Sequence, residues 1–385
     1  MKIAFIGLRG VPAQYSGIER SVEEIGSRLV DKGHDVTVYC MAGNYPEKRD
    51  FYRGMRLKYI PTIRRKNFEM ICYAFLSTVA SISESFDITH FHALGPSPMS
   101  LLPRILNRKT LVTVHALDWK NRKWGGIART YLRCGEWASR RIPHQTIVVS
   151  KTLKRRYESK CARRVAYIPN GTNGVAEFFP LAEAGKRFSL EKDQYLLFVG
   201  RLMEDKNVHL LIEAFKRLKT DIKLVIVGGS ADGYIDDLKR LAGNDRRIVF
   251  TGPIYSRLLY QIYCNAYLFV LPSALEGLPV VLLEALSHGT PVLSSDIPEN
   301  LETLDDDGIP RGFTFKTGEV ESLRCVLEDL IEDADKVHRM REPGRRFIAR
   351  KYHWDRIADQ TLEVYENLLR DWEPIGERPS LVAQP

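Results

Sequence analysis

Short apolar runs rich in branched residues alternate with helix-patterned stretches along almost the whole chain, and the alternation occurs twice. In the first half the runs are Ile3–Ile6, Val36–Cys40, Leu57–Ile60, Ile88–Phe91, Leu111–Val114, Thr146–Val149 and Val165–Ile168. In the second they are Leu196–Val199, Leu224–Val227, Ile248–Phe250, Leu268–Leu271, Val292–Ser294 and Phe313–Phe315. Runs of this kind read as parallel strands covered on both faces, because a strand with one wet face would alternate apolar with polar residues. Between the first two, Ile18, Val22, Ile25 and Leu29 keep one-face helical spacing and stop at Gly33. Later helices fit at 207–219, 232–243, 256–265, 279–287, 319–332 and 335–350. At 385 residues the chain exceeds one ordinary core. The pattern therefore predicts an α/β chain of two doubly wound domains, residues 1–180 and 181–353. A last helix over 354–372 follows, and the tail 373–385, with three prolines and no apolar pattern, is expected to be disordered.

Ligands of such sheets bind outside the carboxyl ends of the strands, so the loops just after each run carry the functional information. After the first run, glycines at 7, 10 and 17 bracket a loop that enters a helix at Gly17, where a diphosphate can approach the backbone. The loop is not GxGxxG, and the second run ends without an acidic residue, which argues against a dinucleotide. After the fourth run stands His90-Phe-His-Ala-Leu-Gly95, and after the fifth His115, with Asp118 three residues on. Beside them Trp119, Arg122, Lys123 and Trp124 form an aromatic and basic loop suited to sugar rings and phosphate on an acceptor or membrane side. After Val199, Arg201 and Lys206 stand in a loop before a helix, as two cations for a departing diphosphate would. Backbone around Gly252 and Ile254 is placed to read a base edge.

The segment Glu276–Val292 is a loop feeding an apolar helix. Pro279 sits where a first helical residue would, and Gly289 where a left-handed cap would. Glu284 is the one charge inside that helix, and a buried carboxylate needs good donors: sugar or ribose hydroxyls, or alternatively a lysine or arginine.

Charge is divided unevenly. Residues 1–180 hold 30 Lys+Arg against 14 Asp+Glu, and residues 181–385 hold 27 against 34, so +16 and −7 sum to the net +9. A basic first half suits an anionic partner: a membrane surface, a lipid-linked phosphate or nucleic acid. Six scattered cysteines without CxxC spacing argue for a reducing compartment and against zinc. The amino terminus enters a strand directly, without the form of a signal peptide, and the apolar run at 70–82 is too short to cross a membrane.

Gly17, His115, the Gly200-Arg-Leu-Met-Glu-Asp-Lys-Asn207 element and the glutamates at 276 and 284, spaced as E-x7-E, together resemble the GT-B retaining glycosyltransferases of family 4. Gly7–Glu19 and His115–Trp124 are similar to a bacterial subgroup that builds surface polysaccharides and includes rhamnosyltransferases. The resemblance implies two Rossmann-like domains facing a cleft, with the C-terminal helix returning to the first. It implies that Glu284 holds the ribose hydroxyls and Glu276 a hydroxyl of the donor sugar. Arg201 and Lys206 would bind the diphosphate opposite the Gly17 amide, with Gly277 and Leu278 backbone at the sugar or phosphate. His115 would contact the sugar and help position the acceptor. The expected partners are a nucleoside diphosphate sugar, a lipid-linked saccharide acceptor and an anionic membrane surface, with no nucleic acid, no metal and no cofactor. The expected location is the cytoplasm, peripheral at the inner face of the plasma membrane. A nucleotide-sugar epimerase, a sugar phosphorylase and a non-catalytic nucleotide-sugar-binding scaffold are the alternatives.

Overall fold

The computed structural model describes residues 1–13, 16–45, 47–62, 69–121, 123–160, 165–174, 177–230, 233–305 and 308–370. Arg122, the tail 373–385 and the last two residues of the expected final helix lie outside them. The first sheet holds β1 (Lys2–Ile6), β2 (Asp35–Met41), β3 (Phe51–Tyr52), β4 (Met55–Ile60), β5 (Ile88–His92), β6 (Lys109–Val114), β7 (Gln145–Val148) and β8 (Ala166–Tyr167). Their order is β3-β4-β2-β1-β5-β6-β7-β8. The second sheet holds β9 (Tyr195–Val199), β10 (Lys223–Val227), β11 (Ile248–Gly252), β12 (Leu268–Leu271), β13 (Val292–Ser295) and β14 (Phe313–Phe315). Its order is β11-β10-β9-β12-β13-β14, parallel throughout. Apart from the edge strand β3, both sheets run third, second, first, fourth, fifth, so each reverses direction beside its first strand. Doubly wound sheets open their binding crevice at that reversal.

Each apolar run corresponds to a strand, and β3 is the one the pattern does not show. It pairs antiparallel with β4 across Arg53 and Gly54, both at positive φ, and two residues are too few for periodicity to register. The helix expected at 335–350 is instead two, Ala334–His338 and Arg341–Lys351. Pro343 explains the break: it has no N–H for the Arg339 carbonyl, and its ring would clash with that oxygen. The apolar helix runs Val280–Ser287 with Pro279 as its N-cap rather than its first residue, and Gly289 is left-handed at φ 73°. Among the described residues no helix is long and apolar enough to cross a membrane.

The last helix, Trp354–Arg370, leaves the second sheet and packs on the Gly17–Asp31 helix of the first. Its Trp354, Ile357 and Tyr365 join the core made by Phe5, Val22, Ile25, Leu29 and Ile88. Arg28 with Asp355 at 2.5 Å and Lys32 with Asp359 at 2.8 Å tie its solvent side. Where it departs, Thr172 N–H donates to the Tyr352 carbonyl at 2.7 Å and Trp354 N–H to the Thr172 carbonyl at 3.3 Å. The two places where the chain passes between the sheets therefore lie side by side.

That shared core contains a polar insertion. His90 on β5 is bonded to the Tyr365 hydroxyl at 2.6 Å through Nδ1 and to Thr113 at 2.7 Å through Nε2. Burial pushes the imidazoles of His90 and His115 down to about 3 and that of His92 well below its ordinary value. In the unfolded chain these rings protonate near 6.5. The unfolded state thus binds more protons between those values, and stability present above about 6.5 is lost as pH falls towards 3. A urea titration is expected to give a lower midpoint at pH 5 than at pH 7, and His90→Phe to flatten the difference by about 2 kcal/mol.

Candidate functional site

One cleft of about 640 Å³ lies between the carboxyl ends of the two sheets. Its walls include the loops after β1, β6, β8, β9, β10, β11 and β12 and the starts of the helices Gly17–Asp31, Ser256–Asn265 and Val280–Ser287. The Gly17–Asp31 helix presents Gly17 to it, with Glu19 folded back to accept the Ser16 N–H at 3.0 Å. Opposite, the Val280–Ser287 helix starts from the same cleft. Two helix starts facing one cavity offer unpaired N–H groups and the positive ends of two helix dipoles to an anion.

Of the residues singled out in the sequence, Gly17, His115, Arg201, Lys206, Ile254, Glu276, Gly277, Leu278 and Glu284 all line this cleft. Gly252 does not. It turns the end of β11 at φ 73°, its carbonyl accepts the Gly228 N–H at 3.1 Å, and it hands the chain to Pro253 and Ile254, which do line it. Trp119, Lys123 and Trp124 also stay outside. Trp119 donates its indole N–H to Glu136 at 2.9 Å, and the guanidinium groups of Arg133 and Arg156 lie over its ring, 4.9 and 5.5 Å from the centroid. Lys123 sits 4.7 Å over Trp124.

One glycine owes its identity to the meeting of the domains, and a second lies close to it. A Cβ on Gly277 would stand 1.6 Å from the His115 carbonyl oxygen, and one on Gly17 would stand 3.2 Å from Val280. Nearby, the buried Asn170 donates its side-chain N–H to the Leu278 carbonyl at 2.9 Å. The loop from 276 to 279 is therefore held by the first domain as well as by its own sheet.

The charges in the cleft are matched only in part. Lys206 and Glu276, both largely buried, form an ion pair. Glu284 accepts a hydrogen bond from Tyr263 at 3.3 Å, and burial raises its carboxyl above the ordinary value, against the pull of Arg20 and of the Tyr263 hydroxyl. Asp118 is pushed up to about 6 by burial, opposed by Lys123 and Arg201. Arg20 belongs to the first domain and is bonded to Glu24 at 3.1 Å and Glu23 at 3.5 Å. It faces Glu284 across the cleft, and neither Arg20 nor Asn170 is singled out by the motifs. The signal that could have found Arg20 is its place one turn after Gly17, on the same face of the helix.

This geometry can hold a polyanion between two helix starts and two cations, with carboxylates to either side for hydroxyl groups. Comparison with known proteins gives it a family. Residues 15–173 match the model of Glycosyltransferase Family 4, and residues 182–347 that of Glycosyl transferases group 1. An alpha-maltose-1-phosphate synthase of Mycolicibacterium smegmatis is 25% identical over 402 residues, covering 96% of this chain and 100% of that protein. Sucrose-phosphate synthase from Thermosynechococcus elongatus has a TM-score of 0.82 at 23% identity, covering 96% of this chain and 100% of its own. Anabaena HepE, solved in complex with UDP-glucose, has a TM-score of 0.77 at 17% identity, covering 95% and 100%. The two domain models fall one on each sheet, and with the shared architecture they identify the chain as a GT-B glycosyltransferase.

Proposed function

We propose that the chain transfers a sugar, with retention and without a metal, from a nucleoside diphosphate sugar to a lipid-linked saccharide in cell-envelope or exopolysaccharide synthesis. The observation that carries the reading is the ion pair of Lys206 with Glu276, set beside Arg201 and facing the Gly17 helix start. Cations and a helix start suit a leaving diphosphate, and a carboxylate next to them suits a hydroxyl of the sugar being transferred. The UDP-glucose bound by Anabaena HepE supports a donor of this class. Retention follows from the E-x7-E resemblance, and the surface-polysaccharide subgroup from the likeness of Gly7–Glu19 and His115–Trp124.

In this reading Glu284 holds the ribose hydroxyls, Arg201 and Lys206 the diphosphate, Glu276 the donor sugar, and Ile254 lies against the base. His115 contacts the sugar. The acceptor hydroxyl attacks the face from which the diphosphate leaves. The bond from the anomeric carbon to the phosphate oxygen breaks, the bond to the acceptor oxygen forms, and the leaving phosphate takes the hydroxyl proton. Closure of the cleft keeps water from the same carbon.

The membrane reading has its own support. The neighbouring helices Glu69–Ile82 and Leu101–Ile105 expose Phe75, Leu76, Val79, Leu101 and Ile105, and Leu106 follows them to the surface. They belong to the basic half of the chain. Exposed apolar side chains in a basic surrounding suit an anionic bilayer on the cytoplasmic side.

A thermal-shift screen tests the donor site: at least one of UDP-, GDP- and dTDP-sugars is expected to stabilise the chain, and NAD is not. Absence of any shift with nucleoside diphosphates overturns the assignment. For the two glutamates, Glu276→Ala is expected to lower kcat strongly while changing nucleotide affinity little. Glu284→Ala is expected to weaken nucleotide binding by about 10- to 100-fold, the effect of losing a charged hydrogen bond of about 1.5–3 kcal/mol. Isothermal titration with the nucleotide, beside steady-state kinetics, separates the two. On vesicles containing anionic lipid, Phe75→Glu with Ile105→Glu is expected to reduce co-sedimentation by at least about ten-fold, since each buried apolar side chain is worth roughly 1.5–3 kcal/mol.

A further inference from the structure

The His90-Phe-His92 pair of β5 takes no part in the chemistry above, yet it leads to the cleft. Residues two apart on a strand share a face, and here that face packs against Phe5, whose ring lies 5.6 and 5.4 Å from the two imidazoles. The rings of His90 and His92 stack at 4.3 Å, and those of His92 and His115 at 5.4 Å. One end of the series is tied to Tyr365 and Thr113. At the other, His92 Nδ1 lies 3.1 Å from His115 Nε2. Among the described residues, His92 Nε2 and His115 Nδ1 are buried with no hydrogen-bond partner. His115 stands in the cleft wall.

A hydrogen bond between two imidazoles needs one protonated and one bare nitrogen. Burial keeps both rings neutral, so each carries a single N–H. If His115 donated, His92 would keep its proton on Nε2, where nothing accepts it, and a buried donor without a partner bears its full loss of hydration. If His92 donates from Nδ1, the N–H without a partner is instead His115 Nδ1, on the ring that lines the cleft, where an oxygen of a bound molecule can accept it, and His92, which does not line the cleft, keeps only a bare lone pair at Nε2.

We propose that His92 is a positioning residue for the transfer: by donating Nδ1–H to His115 Nε2 it fixes His115 as the Nδ1–H tautomer, which offers a hydrogen-bond donor to an oxygen of the bound sugar. The proposal rests on the reading of His115 as a sugar contact. His90, held by Tyr365 of the returning helix, supports the plane of His92 from behind.

The test compares His92→Asn, His92→Asp and His92→Phe in the full chain, using the nucleotide sugar that stabilises it best. Asparagine can still donate from near the Nδ1 position, aspartate can only accept, and phenylalanine keeps the stacking alone. Ring nitrogen shifts of 15N-labelled histidine, with His115 identified by its loss in His115→Gln, read the tautomer. The wild type is expected to show His115 protonated on Nδ1. His92→Asn is expected to keep that tautomer and a kcat within about three-fold, as rescue of a donor requires. His92→Asp is expected to move the proton to Nε2 and lower kcat at least about ten-fold, with KM changed less. A wild-type His115 protonated on Nε2 overturns the proposal even if no variant folds, and so does equal turnover of the Asn and Asp variants. If His115→Gln leaves kcat and KM unchanged, the sugar contact itself is wrong and the proposal falls with it.

Discussion

Two loops, one from each sheet, meet where Gly277 lies against the His115 carbonyl. No side chain can stand there, because even a methyl group would overlap that oxygen. The width of the cleft depends on this contact. It brings the wall that carries His115 to the loop that carries Glu276, and with the looser approach of Gly17 to Val280 it sets two helix starts against one cavity. A glycine beside a phosphate site is usually explained by room for the ligand. Here the other domain already requires it.

The second constraint is electrostatic. Charges in a closing cleft lose water, and an ion left without a counter-charge is expensive to bury. The cleft meets this with internal pairs: Lys206 with Glu276 within the second domain, and Arg20 with Glu23 and Glu24 within the first. Glu284 has less compensation, and its raised carboxyl shows it. A ligand that supplies hydroxyl donors to Glu284 meets that remaining need, as the nucleoside diphosphate sugar proposed above would.

The fold was largely legible because covered parallel strands have an unmistakable composition, and the loops after them follow from topology. The edge strand β3 escaped because two residues show no period, and the split at Pro343 because helical spacing outlasts a broken backbone. The site was legible where residue type and position coincide, as at Arg201, Lys206, Glu276 and Glu284, which the structure brings to one cleft. Arg20 and Asn170 act across the domain gap, and no local pattern announces a partner so far along the chain. The aromatic loop misled in the opposite way: Trp119 has a composition suited to ligands, but Glu136 takes its indole N–H, and Arg133 and Arg156 lie over its ring.

The chain passes between the sheets twice, near Thr172 and again near His353, and the two passages are hydrogen-bonded to each other. A single linker would leave the second domain free to swing and twist. Two adjacent strands of chain act as one pivot, with an axis fixed by their own backbone bonds. Asn170, two residues before Thr172, also holds Leu278 of the second domain, so the end of the cleft beside the crossing is tied to both domains.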